Sequence, residues 1–105
     1  MIKHIVMFRL KDTADDSGNT VTAMENALAA KAEAEKLREA VPSLREYEVV
    51  TNSPEADGTN YHIALICLFD DMAGLAEYQQ HPAHKAFGAY IGKLRTDRAC
   101  IDFEL

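Results

Sequence analysis

Two nine-residue segments carry apolar side chains on both of their faces, and this feature constrains the fold more than any other. The segments are IKHIVMFRL (residues 2–10) and YHIALICLF (residues 61–69). Alternate residues of a β-strand point to opposite faces, so strands of this kind need cover on both sides. We therefore expect both segments to lie in a sheet that is packed on each face.

The segment between these strands predicts a long helix followed by a more polar strand. Thr22 and Glu25 have the spacing of a capping box, which marks a helix start. Apolar residues then recur at helical spacing along an alanine-rich stretch. Pro42 disfavours helical geometry in the residue before it, so the helix should end near Val41. Residues 45–51 (REYEVVT) read as the next strand.

The C-terminal part of the chain predicts two consecutive helices and a last strand. Asp70 or Asp71 can cap a short helix over residues 72–80. Pro82 fits the first turn of a second helix, which runs to about residue 93. The tail ACIDFEL (residues 99–105) alternates apolar and polar positions and is the expected final strand.

The order strand, helix, strand, strand, helix pair, strand fits one α+β domain over residues 1–105. Its architecture is a ferredoxin-like sandwich, in which helices cover one face of a four-stranded antiparallel sheet. The polar segment at residues 12–20 (DTADDSGNT) connects two of the elements. A second copy of the sheet is the simplest cover for the open face, so we predict a homodimer with two-fold symmetry through that face, forming an α+β barrel.

Charge and composition exclude several classes of partner. The net charge is −6, and the 11 basic residues are scattered, whereas nucleic-acid binding requires clustered Lys and Arg. The same acidity disfavours an anionic membrane surface, and no apolar run has membrane-spanning length. The N-terminal segment is too short and too charged for a signal peptide. We expect a cytoplasmic protein in which Cys67 and Cys100 are buried free thiols.

Four polar residues are candidates for a functional site. His84 lies on the apolar face of its helix, and His4 interrupts the apolar row of the first strand. The last strand is expected to run antiparallel beside the first, which brings Asp102 near His4, where a carboxylate would orient the imidazole. Tyr78 ends the preceding helix. The simpler alternatives are a core histidine at position 84, a structural hydrogen bond between His4 and Asp102, and an ordinary helix-end tyrosine.

A metal site is a further alternative for the histidines of YQQHPAHKAF (residues 78–87). His81 and His84 are three residues apart and could share an ion with Asp102 or His4. A zinc site usually shows more ligands, and no His-Glu-x-x-His motif is present. We therefore expect no metal here, and His81 is expected to be a joint residue at the helix start. Neither cysteine has a histidine at suggestive spacing, and no glycine-rich phosphate loop occurs.

Several segments together resemble one known family. The opening MIKHIVMFRLK, the segment YHIALICLFDD, the run YQQHPAHKAF and the ending DRACIDFEL resemble the stress-responsive α/β-barrel domain family over nearly the whole chain. The resemblance implies a dimeric α+β barrel in which two ferredoxin-like sheets pack face to face. It also implies a small pocket between sheet and helices, without metal or organic cofactor.

The resemblance implies two main functions. In the first, the protein is a non-catalytic dimeric barrel that binds a small hydrophobic or carbonyl compound or serves a stress-related structural role. In the second, it resembles the plant olivetolic acid cyclase branch of the family and is a cofactor-free cyclase or isomerase. His84 would then be the general base, Tyr78 the hydrogen-bond donor to an enolate oxygen, and His4 with Asp102 the orienting pair. A cofactor-free monooxygenase, known among related barrels, is a third alternative.

Overall fold

The computed structural model describes residues 1–105. A β-strand and a short hairpin come first: β1 (Ile2–Leu10), β2 (Thr13–Ala14) and β3 (Thr20–Val21). The helices α1 (Ala23–Glu35) and α2 (Leu37–Ala40) and the strands β4 (Glu46–Thr51) and β5 (Ile63–Phe69) follow. The chain ends with α3 (Met72–Gln80), α4 (Pro82–Gly92) and β6 (Arg95–Glu104).

The four long strands form one antiparallel sheet in the order β4-β5-β1-β6. This order, with helices on one face, is the ferredoxin-like fold, and it confirms the predicted fold class. β1 lies between β5 and β6, so the N-terminal strand has a hydrogen-bonded neighbour on each side. None of the helices is long and apolar enough to cross a membrane. The cytoplasmic location expected from the sequence stays a prediction.

The core lies between the helices and one face of the sheet. The even-numbered residues of β1 are buried there, as the alternation predicts. The seam of α1 and α2 is also buried, and its alanines reach zero exposure. Its members are Ala27, Ala30, Ala34, Leu37 and Val41. Because alanine has a short side chain, α1 can lie close to the strands beneath it.

The helix ends follow from the sequence as expected. The hydroxyl of Thr22 accepts from the Glu25 amide at 3.1 Å, and the Glu25 carboxylate accepts from the Thr22 amide at 3.1 Å, so the capping box is present. Val41 has an extended backbone, φ −110° and ψ 107°, which agrees with the restriction that Pro42 imposes on it.

The predicted long helix is broken at Lys36, between α1 and α2. The phenol of Tyr47 in β4 donates a 2.8 Å hydrogen bond to the Ala34 carbonyl at this point. A sheet side chain therefore uses a carbonyl that belongs to the last turn of α1. α2 ends at Ala40, so the predicted helix end near Val41 is confirmed, and the turn at Lys36 is a local interruption within that helical segment.

Three expectations differ from the structure. Residues 12–20 are not wholly irregular, since Thr13 and Ala14 pair with residues 20 and 21 in a short hairpin. The last strand begins at Arg95 rather than at Ala99, because the whole length of β1 is available to pair with it. Cys100 is exposed, while Cys67 is buried. β6 is an edge strand, and its residues are mostly exposed even on the side of the helices.

Candidate functional site

The junction between α3 and α4 positions two of the candidate residues. The Asp71 carboxylate caps α3 by accepting from the Gly74 amide at 2.9 Å. His81 ends α3 and begins α4, and its Nδ1 accepts from the Ala83 amide at 3.0 Å. Pro82 follows at the first position of α4, where its missing N–H costs nothing. His81 is therefore a helix cap, and the restart after it turns His84 toward the sheet.

Tyr78 lies in the last turn of α3 and has no exposed surface. Its ring packs against Phe69 of β5, with 5.2 Å between the ring centroids. Its hydroxyl oxygen accepts a weak hydrogen bond from the Cys67 thiol, with 4.0 Å between oxygen and sulfur. No nitrogen or oxygen atom of the protein accepts a hydrogen bond from the Tyr78 hydroxyl. A buried O–H donor without a good acceptor is uncommon in folded proteins.

His84 lies in the first turn of α4, beside Tyr78. The two rings meet edge to face, with centroids 4.5 Å apart and planes at 61°. The imidazole is half-buried and also faces the cavity described below. This placement confirms the sequence prediction that His84 points inward.

His4 and Asp102 face each other across β1 and β6. They are cross-strand partners in the register, and His4 Nδ1 is hydrogen-bonded to Asp102 Oδ1. His4 is 2% exposed, and the Asp102 side chain is 35% exposed. The His4 ring lies 6.1 Å from the Tyr78 ring. The pairing inferred from the sequence is confirmed, and it holds the ring beside the tyrosine.

A cavity of about 100 Å³ brings three of the four candidate residues together. His4, Tyr78 and His84 line it, and Asp102 is connected to it through His4. The remaining wall is mostly apolar, apart from two arginines on β6. Its members are Val6, Phe8, Leu65, Phe87, Gly88, Ile91, Arg95 and Arg98. The cavity therefore lies between the sheet and α4, where the sequence analysis expected a pocket.

Burial sets the protonation states of the site. The pKa of His84 is lowered below its ordinary value of 6.5, chiefly by burial and then by the charges of His4 and Arg98. Burial raises the pKa of Tyr78 far above 10, and it raises the pKa of the Cys67 thiol to about 12. At neutral pH the site thus holds a neutral imidazole that can accept a proton and a phenol that keeps its proton.

Metal-ligating side chains come together in one place, but not where the sequence alternative put them. The ligand atoms of His4, Cys100 and Asp102 lie within 4.8 Å of one another, and neither His81 nor His84 belongs to this group. His4 Nδ1 and Asp102 Oδ1 are directly hydrogen-bonded, and Cys100 Sγ lies 3.5 Å from the same nitrogen. These contacts join the three side chains into one hydrogen-bonded cluster across β1 and β6.

Sequence reasoning missed Cys67, Arg95 and Arg98. Cys67 lies under the Tyr78 hydroxyl, and the two arginines line the cavity. The arginines were overlooked because the predicted last strand began at Ala99. The signal that could have found them is the length of β1, since a partner strand of equal length must begin near Arg95. His62, just before β5, accepts a 2.9 Å hydrogen bond from the Leu10 amide through Nδ1.

Comparison with known proteins gives a match over nearly the entire chain. The model of the family described as the stress responsive A/B barrel domain matches residues 2–105. No protein of curated description matches the sequence significantly.

Solved structures share the fold. A dimeric ferredoxin-like protein of unknown function from Thermobifida fusca is 31% identical, with a TM-score of 0.79, and the match covers 99% of this chain and 90% of that chain. A dimeric ferredoxin-like protein of unknown function from Bacteroides fragilis is 30% identical, with a TM-score of 0.78, covering 99% and 95%. The hydroxynitrile lyase of Passiflora edulis is 16% identical, with a TM-score of 0.74, covering 99% and 92%, and it shares the fold alone.

The lowered pKa of His84 predicts a pH dependence of stability. Between the folded-state pKa and the ordinary value of 6.5, the unfolded chain binds more protons than the folded chain does. The contribution of His84 is therefore complete above about pH 6.5 and is lost as the pH falls below that value. NMR titration of the imidazole should give a midpoint below 6.5.

Urea denaturation between about pH 5 and pH 8 checks the linked change in stability. His84→Gln should make the free energy of unfolding less dependent on pH below 6.5. His62 also has a lowered pKa, because of burial, so part of the slope should remain in that variant. A His84 midpoint at or above 6.5 would contradict the prediction.

Proposed function

The chain belongs to the family of stress-responsive A/B barrel domains, and we propose that it binds a small hydrophobic compound with a carbonyl group in the cavity between the sheet and α4. The apolar wall of the cavity would hold the hydrocarbon part of such a compound. Tyr78 and His84 are polar groups beside the apolar part of this wall, and polar groups of that kind fix the orientation of a ligand.

The hydroxyl of Tyr78 is the observation that carries this proposal. It is fully buried, its pKa is raised by burial, and its only protein partner is a thiol at 4.0 Å. A thiol sulfur is only a weak hydrogen-bond acceptor, so the hydroxyl keeps the capacity to donate a stronger bond. A carbonyl oxygen in the cavity would accept that bond.

Proton transfer is a second candidate function, which the edge-to-face contact of Tyr78 and His84 favours. Neutral His84 would remove a proton from the carbon next to the ligand carbonyl, and the electron pair would move to the carbonyl oxygen. The Tyr78 hydroxyl would stabilise the resulting enolate by a hydrogen bond. The pair of His4 and Asp102 would hold the neighbouring wall in place. Cyclisation, isomerisation and enolisation all proceed through this step.

Cofactor-free oxygenation receives no specific support from the side chains of the cavity. It stays an expectation of the family resemblance, and the two candidates above are preferred to it.

The open face of the sheet supports a homodimer. This face carries exposed apolar side chains on three strands, which are Met7, Val50, Ile101 and Phe103. Ile5 and Ile66 pair beside them and are half-buried. An apolar sheet face that remained in water would be costly, and the structures from Thermobifida fusca and Bacteroides fragilis are described as dimeric. A second copy packed face to face would complete an α+β barrel.

Ligand-dependent thermal shift tests binding in the cavity. At a concentration about 100 times its Kd, a ligand stabilises the folded protein by about 2.7 kcal/mol, which raises the Tm of a domain of this size by on the order of 10 °C. We expect such a shift for at least one member of a panel of small aromatic and polyketide-like ketones. His84→Ala should abolish the shift.

Lys85→Gln is the matched control for this experiment, because Lys85 is the next residue of α4 and its side chain is exposed. This variant should respond to the ligand as the wild type does. Two results would count against the proposal. One is that no panel member stabilises the wild type, and the other is that His84→Ala loses stability but keeps the full ligand shift.

Proton transfer can be measured as exchange of the hydrogen next to the carbonyl of a bound ketone. In D₂O, proton NMR of the ketone should show exchange that the wild type accelerates. His84→Gln should slow it by about 100-fold or more, the usual contribution of a general base. Tyr78→Phe, which removes only the hydroxyl, should slow it to a similar extent. If both variants exchange the ketone at the rate of Lys85→Gln, binding without catalysis is the remaining function.

Sedimentation velocity tests the dimer. Ile101 on the open sheet face is 59% exposed and Leu28 on α1 is 57% exposed, so they form a matched pair. Ile101→Lys would place a charge without a partner in the apolar interface, and the Kd of the dimer should rise by at least about tenfold, or 1.4 kcal/mol. Leu28→Lys should leave the dimer unchanged. A monomeric wild type, or equal behaviour of the two variants, would refute this arrangement.

A further inference from the structure

Two arginines of β6 stand on the same side of the sheet, beside the cavity. Arg98 pairs with Phe8 and therefore points to the side of the helices, as Phe8 does. Arg95 would point to the opposite face if the strand were regular, because the two residues are three positions apart. The register shifts between Arg9 and Leu10, so Arg95 pairs with Leu10. This irregularity turns Arg95 to the same side as Arg98, an effect typical of β-bulges.

Neither of these guanidinium groups has a carboxylate partner. Arg38 is paired with Glu35, and Arg45 is paired with Asp70, whereas Arg95 and Arg98 form no ion pair. They are exposed where they line the cavity.

The two carboxylates nearest to these arginines along β6 are already engaged. Asp97 accepts from the Tyr61 hydroxyl at 2.7 Å and from the Arg98 main-chain amide at 2.9 Å. Asp102 is bonded to His4. Two cations without a carboxylate partner therefore lie at one place in a chain whose net charge is −6.

We propose that the natural ligand carries a carboxylate in addition to its carbonyl group, and that Arg98, together with Arg95, binds this carboxylate at the mouth of the cavity. This inference rests on the proposed binding function and specifies the class of ligand. Guanidinium groups form paired hydrogen bonds with carboxylates, and such charge-assisted bonds are about twice as strong as neutral ones.

The size of the cavity fits a ligand that is only partly enclosed. Its volume of about 100 Å³ is smaller than the roughly 150 Å³ of a protein cavity that holds benzene. A short apolar segment with its carbonyl can enter between His84, Tyr78 and Phe87, while the charged end stays at the surface. The ligand thus has an apolar part, a carbonyl at the inner end and an anion at the outer end, in the same order as the groups that line the site.

The charge of Arg98 also reaches the inner part of the site. It is one of the causes that lower the pKa of His84, after burial and His4. A carboxylate bound to Arg98 would therefore lie within electrostatic range of the proposed base. This electrostatic influence links the two ends of the site, although the arginine itself would position the ligand and take no part in proton transfer.

Binding of matched acids and esters tests the proposal. The probes are 4-oxopentanoate, 5-oxohexanoate and 6-oxoheptanoate, each compared with its methyl ester, which keeps the carbonyl and loses the charge. Calorimetry should give at least tenfold tighter binding for one acid than for its ester. Arg98→Gln should remove this preference, Arg95→Gln should reduce it, and Lys85→Gln, with the same change of net charge, should keep it. Because the arginines are exposed, raising the salt concentration should weaken binding of the acid and not of the ester.

The outcomes separate this inference from the function on which it rests. If acid and ester bind equally and Arg98→Gln changes neither, the carboxylate site is refuted while ligand binding in the cavity stands. If none of the acids or esters binds, the carboxylate site is refuted together with binding of keto compounds of this size. Inorganic phosphate is a further arm: if it competes for the arginines more strongly than the acids do, a phosphate rather than a carboxylate is the natural group. Unchanged thermal unfolding of Arg98→Gln without ligand confirms that the variant is folded.

Discussion

The pairing of β1 with β6 is the interaction on which the rest of the site depends. It brings the first and last ten residues of the chain side by side and sets His4 opposite Asp102. A buried imidazole needs a hydrogen-bond partner, because an unsatisfied polar group in the core is costly. A slip of one residue would turn His4 and its whole apolar row to the other face of the sheet. The polar pair and the apolar alternation therefore specify the same register.

The two halves of the helix layer cover the sheet differently. The buried alanines of α1 bring that helix close to β4 and β5. On the other half, α4 covers β1 but leaves β6 exposed. The cavity lies where the covered strand β1 meets the exposed strand β6, with His4 on one wall and His84 on the other. A cavity at the uncovered edge of a sheet combines a dry interior with an open mouth, which a binding site requires.

The fold and part of the site could be predicted from the sequence because the signals are local. Alternation in β1 and β5, the capping box of Thr22, and the restart of the helix at Pro82 each act over a few residues. The antiparallel order of the strands then placed Asp102 beside His4. The hydrogen bond from the Tyr47 hydroxyl of β4 to the Ala34 carbonyl of α1 could not be predicted, since it joins distant parts of the chain. The exposure of Cys100 depends on where the helices stop, and the direction of Arg95 depends on a shift of register in a strand pair. These are properties of the assembled sheet.

The space inside the cavity also has a local cause in α4. The helix presents His84, Phe87, Gly88 and Ile91 to the cavity, and a Cβ at Gly88 would meet no atom within 4 Å. The glycine is therefore not required by close packing or by backbone conformation. Glycine weakens a helix interior by about 1 kcal/mol relative to alanine. No packing contact at Gly88 offsets this loss of helix stability. Gly88 leaves room in the cavity that His84 and the arginines of β6 also line. The proposed ligand would use this room.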